Sequence, residues 1–186
     1  MIIDDALLED CIAGKRNAQN ALYRRFASTM MAVCLRYARN RSEAEDLMQE
    51  GFLKVFLNIS SFRKKGSFEG WIKRIMINNA LNHYRKNRKI PYHWDIEQIN
   101  ETEIEDQEED TELQYPFPAD VLLSLIQALP EGYRMVFNLY VFEEYGHKEI
   151  AEMLSISENT SKTQLLKARR YLRRRLAEMA NSGKNG

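Results

Sequence analysis

The stretch HKEIAEMLSISENTSKTQLLKARRYLRRRL, residues 147–176, decides how this chain is read. Lys148 to Leu154 has the spacing of a short amphipathic helix. Ser155-Ile156-Ser157 forms a tight connection, and a longer helix then runs from about Glu158 to Leu176. Between Asn159 and Arg175 there are seven Lys or Arg and no Asp or Glu. A helix pair whose second member is basic without interruption has the sequence form of a DNA-reading helix-turn-helix.

On a 3.6-residue wheel, Ser161, Leu165, Ala168, Leu172 and Leu176 share the face that must pack on the rest of the fold. The opposite face carries Asn159, Thr163, Leu166, Lys167, Arg170 and Arg174, with Lys162 at its flank. Asn, Thr and Lys are groups that reach base edges in a major groove. The later arginines suit phosphates, which give affinity without sequence information. A basic run is often only a solvated helix face. The coincidence of helix pair, short turn and one-signed face favours DNA.

The net charge of zero over 186 residues is a cancellation. Residues 1–88 are net +7, residues 89–118 net −9, and residues 119–186 net +2. Two basic bodies flanking an acidic strip point to a polyanionic partner for the bodies. No apolar run has the length of a membrane helix and no secretory segment opens the chain, so the protein is expected in the cytoplasm. The two cysteines, Cys11 and Cys34, read as small core residues in a reducing cytosol. His83, His93 and His147 have no metal-ligand spacing with them, so neither metal nor cofactor is expected.

The expected fold is all-α, with two small helical domains joined by a flexible acidic linker. The first domain, 1–88, has helices at Asp4 to Ala13, Ala18 to Arg39, Ser42 to about Leu57 and Phe68 to about Asn87, with Ser42 as the cap of the third. Asn58 to Ser67 is a polar loop with Arg63-Lys64-Lys65-Gly66 at its tip. The linker, 89–118, holds three prolines and the acid run from Glu101 to Glu112. In the second domain, 119–186, helices at Asp120 to Leu129 and Glu131 to Glu143 precede the helix-turn-helix.

The fourth helix, FEGWIKRIMINNALNHYRKNRK, mixes Phe68, Trp71 and Tyr84 with Lys73, Arg74, Arg85, Lys86 and Arg88, and adds Asn78, Asn79 and Asn82. Aromatic rings beside positive charge bind single-stranded nucleic acid, and amides read an exposed Watson–Crick edge. Trp71, Ile75 and Leu81 also fit a plain core. The third helix, AEDLMQEGFLKVF, is by chemistry alone either a surface helix or a protein-docking face.

Together these features resemble the bacterial sigma factors, most closely the extracytoplasmic-function group, which keeps only domains two and four. The resemblance is carried by residues 44–56, 67–86, 129–157 and 160–176, in the family's order and spacing. It implies a non-enzymatic subunit that binds core RNA polymerase and promoter DNA, with an anti-sigma factor as a further partner. Asp46, Gln49, Glu50 and Phe52 would dock on the polymerase clamp. Arg63, Lys64, Lys65 and Ser67 lie in the loop that captures a flipped −10 base. Asn78 matches a −10 contact, with Lys73, Asn82 and Arg85 beside it. Asn159, Lys162, Thr163, Leu166 and Lys167 match the helix that enters the −35 major groove, with Arg170 behind them. The linker would thread the polymerase cleft.

Three positions depart from the family pattern. Ser161 stands where an apolar residue is usual, Asn159 where Gly is common, and Gln164 replaces a basic residue. Thirty extended linker residues reach at most about 100 Å. Promoter elements two duplex turns apart are separated by roughly 70 Å. A stand-alone helix-turn-helix regulator is the alternative, and the single-strand features of the first domain argue against it. A metal hydrolase built on the acids of 101–112 lacks any fixed carboxylate spacing.

Overall fold

The computed structural model describes residues 4–88 and 117–182, and all regular structure among them is helical. The first domain contains α1 (Asp5–Ile12), α2 (Arg16–Tyr37), α3 (Arg41–Asn58) and α4 (Phe68–Arg88), with a 3₁₀ turn at Ile59–Ser61. The second contains α5 (Ala119–Gln127), α6 (Glu131–Val141), α7 (His147–Leu154) and α8 (Glu158–Ser182). The expected linker lies outside the described residues apart from Phe117 and Pro118.

In the first domain α2, α3 and α4 pack mutually, and each presents one apolar stripe. Leu22, Phe26, Met30, Val33 and Cys34 of α2 meet Leu47, Phe52 and Val55 of α3 and Ile72, Met76 and Leu81 of α4. Each large side chain so buried contributes about 1.5–3 kcal/mol relative to exposure. The helices approach closely at Gly51, where a Cβ would overlap the Met76 sulfur. Asn79, buried at 2 % exposure, joins α4 to α3. Its Nδ2 donates to the Leu47 carbonyl at 3.0 Å and its Oδ1 accepts from Lys54 Nζ.

In the second domain Val136 and Leu139 of α6, Ile150 and Leu154 of α7, and Leu165 and Ala168 of α8 form the core. The two domains are in contact. α5 and α6 lie against α2, α7 approaches α4, and one apolar cluster runs from the first domain into the second.

Several helix ends differ from expectation. α3 starts at Arg41, two residues earlier than a Ser42 cap would place it, because Asn40 is its cap, accepting from the Glu43 N–H at 2.9 Å. The strand-like backbone of Asn40 places its carboxamide over the first turn, a geometry that sequence alone leaves open. α5 and α6 are shorter than expected, and α8 runs on to Ser182. Nothing from Ala177 to Ser182 breaks a helix, and Glu178 pairs with Arg175 at 3.0 Å.

Candidate nucleic-acid interface

The turn between α7 and α8 is held by its own backbone. Ser155 adopts the left-handed conformation (φ 54, ψ 50), and the Ile156 N–H donates to the Ala151 carbonyl at 3.0 Å. This is the Schellman arrangement, with serine where glycine is usual. Ser157 then caps α8, its Oγ accepting from the Thr160 N–H at 2.9 Å. Glu149 fixes the start of α7, its carboxylate accepting from the Gly146 N–H at 2.9 Å.

Ser161, the polar residue on the packing face, is fully buried. Its Oγ is hydrogen-bonded to His147 Nδ1 at 2.9 Å, and the imidazole stacks on Tyr140 with ring centroids 4.8 Å apart. A hydroxyl therefore replaces an apolar contact by a bond that fixes where α7 starts against α8. Burial holds the His147 pKa below its ordinary value, and the nearby Lys162 adds to the effect. Neither the partner nor the ring stack is visible in residue spacing, because His147 and Ser161 belong to different helices.

On the opposite face Asn159, Lys162, Thr163 and Leu166 are exposed, and Lys167 and Arg170 are half-buried. The six therefore lie together as expected. Lys162 Nζ is 2.8 Å from Glu158 Oε1, an exposed i,i+4 pair of small energetic weight. Arg169 lies outside this face, over the Tyr140 ring at 5.6 Å. Arg174 and Arg175 both face Glu178, at 4.0 and 3.0 Å, which reduces their charge toward a phosphate.

In the first domain the amides of α4 separate. Asn78 and Asn82 are exposed, while Asn79 is the interhelical tie described above. Lys54, Asn82, Arg85 and Lys86 line a shallow basic hollow. Trp71 packs on Phe62 and Phe68, with centroids 5.6 and 5.5 Å away, so it belongs to an aromatic cluster. Arg63, Lys64, Lys65 and Ser67 are all exposed in the loop. Lys64 has positive φ (55°) and its Nζ lies 2.6 Å from Asp5 Oδ1, linking the loop to α1. The Ser67 hydroxyl accepts from the Gly70 N–H at 3.0 Å and so serves the α4 start. Lys73 stands apart from Asn78 and Asn82, paired with Glu143 of the second domain at 2.7 Å.

Along α3, Asp46, Gln49 and Glu50 are exposed on one face. Phe52 is not on it. It is 3 % exposed and packs against Tyr23 at 4.7 Å, because it falls on the apolar stripe that α3 turns to the core. The exposed face continues instead through Leu53 and Leu57, 64 % and 80 % exposed. Their helical spacing from Asp46 and Glu50 was a readable signal.

Residues 22–90 match the family described as Sigma-70 region 2, and residues 119–172 match Sigma-70, region 4. The ECF RNA polymerase sigma factor SigW of Bacillus subtilis is 33% identical over 156 residues, covering 79% of this chain and 82% of that protein. The chain belongs to the extracytoplasmic-function sigma factors. This sigma factor is thus a transcription initiation factor, not an enzyme. It is also 26% identical to the ECF RNA polymerase sigma-E factor of Haemophilus influenzae over 185 residues, 94% of this chain and 96% of that one. Its fold is similar to that of the sigma factor RpoE of Bartonella quintana, solved with the anti-sigma factor NepR, with TM-score 0.50, 18% identity and coverage of 86% and 96%. No helix among the described residues is long and apolar enough to cross a membrane.

Proposed function

We propose that this sigma factor works in the cytoplasm, bringing core RNA polymerase to promoters by contacting two DNA elements through its two domains. The observation that carries this is the exposed face of α8, where Asn159, Lys162, Thr163 and Leu166 stand clear of the core behind a fixed turn. That face fits a −35 major groove, with Asn159, Lys162, Thr163 and Lys167 toward bases and Arg170 toward phosphates. In the first domain Asn78, Asn82 and Arg85, with the loop cations Arg63, Lys64 and Lys65, suit unstacked −10 bases and their backbone. Trapping those bases shifts the promoter toward its open form, because the trapped state exists only once the duplex has melted.

Asp46, Gln49, Glu50, Leu53 and Leu57 form the face assigned to polymerase. An anti-sigma factor is a further expected partner, since a related sigma factor of Bartonella quintana was solved with one. Comparison of Asn78→Ala with Lys162→Ala on matched promoters tests the division of labour. Asn78→Ala impairs opening more than closed-complex binding. Lys162→Ala weakens −35 binding by about 1–3 kcal/mol if the lysine contacts a base. The reverse order refutes the assignment.

A further inference from the structure

Two directional contacts add to the apolar stripe that holds α8 in place, and both run through one aromatic pair. Tyr140, in the last turn of α6, stacks on His147, the first residue of α7, with ring centroids 4.8 Å apart and planes 24° from parallel. His147 Nδ1 is hydrogen-bonded at 2.9 Å to the hydroxyl of Ser161, in the first turn of α8. Arg169, two turns further along, holds its guanidinium over the same Tyr140 ring, 5.6 Å from the centroid. The start of α7 is itself fixed, because the Glu149 carboxylate accepts from the Gly146 N–H at 2.9 Å.

Ser161 and Arg169 bracket about 12 Å of helix. Lys162, Thr163, Leu166 and Lys167 lie between them in the chain. The buried stripe of Leu165, Ala168 and Leu176 supplies attraction but defines rotation poorly, since apolar contact is non-directional. A hydrogen bond is directional and short-ranged. Turning α8 by about 10° moves groups at a radius of about 5–6 Å by about 1 Å. That exceeds the range of distance over which a hydrogen bond to a base edge keeps its strength. Ser161 is 0 % exposed. Without His147 its buried hydroxyl lacks a side-chain partner, which favours any small rotation that brings it another acceptor.

We infer that His147 and Ser161 are positioning residues for −35 recognition. Their hydrogen bond, seated on Tyr140, sets the rotation of α8 and thereby which bases Lys162, Thr163 and Lys167 reach. Neither side chain touches DNA in this role, and both act through the helix. The inference rests on the two-element reading above. An apolar residue is usual at position 161, so this control of base choice is a property of this chain's own pair rather than of its exposed face.

A pool of promoters with a randomised −35 segment, each linked to a barcode in its transcript and transcribed by the full chain with core polymerase, tests it. Ser161→Val and His147→Leu each remove the bond while keeping bulk. His147 is half-buried at a helix start, so its variant serves if circular dichroism shows that Ser161→Val loses helix. His147→Asn keeps an amide within reach of Ser161. Wild type is expected to enrich a defined set of −35 sequences. Either bond-breaking variant lowers the preference for that set about tenfold, the effect of losing one base contact. The double variant lowers it no further, and His147→Asn restores most of it. Folded variants that lose output equally from all sequences, with the preference unchanged, overturn the inference, as do losses that add in the double variant. A wild type that enriches no −35 sequence fails the two-element reading and the inference with it, whereas an enriching wild type with unchanged variants fails the inference alone.

Discussion

Ser155 and Ser161 show what a single hydroxyl-bearing residue does in this fold. Ser155 holds a left-handed backbone at the turn between α7 and α8, where a side chain costs about 1 kcal/mol relative to glycine. Ser155→Gly is therefore expected to stabilise the protein by about 0.5–1 kcal/mol in denaturant unfolding, with the turn unchanged. Equal or lower stability would show that the serine compensates its strain in some other way. Ser161 was visible in the sequence as a departure from the family pattern, but its reason was not. The bond to His147 joins residues on different helices, and only packing brings them together. The same limit applies to Asn78, Asn79 and Asn82. Three amides in five positions read alike, yet burial makes Asn79 an interhelical tie and leaves the other two exposed.

At the level of elements, apolar period located every described helix, since each buries one stripe against its neighbours. Helix ends were less legible, as the Asn40 cap and the long α8 illustrate, because caps depend on backbone geometry outside the periodic segment. α3 carries the clearest correction. Phe52 belongs to its core stripe, and the outward face runs through Asp46, Gln49, Glu50, Leu53 and Leu57. Two large exposed leucines beside polar residues have the composition of a protein-docking face. Leu53→Lys with Leu57→Lys is expected to weaken binding to core polymerase at least tenfold while leaving helix content and duplex affinity of the free chain unchanged. Unaltered core affinity, measured by a competition assay, would remove α3 from the docking surface.

For the whole molecule, charge blocks and domain order were readable in the sequence, whereas the contact between the domains was not. Its donors are Gln127, Arg134 and Asn138, ordinary helix residues until α2 presents three carbonyls to them. Nothing in their spacing anticipates a partner about a hundred positions away in the chain. The proposed function assigns a −35 face to α8, a −10 face to α4 and a polymerase face to α3. A promoter-directed transcription assay with purified chain and purified core polymerase tests it most directly. The account predicts that core alone gives no promoter-specific transcript and that adding the chain gives a defined start. A chain that binds duplex DNA tightly by itself, forms no stable complex with core and directs no transcript would contradict it.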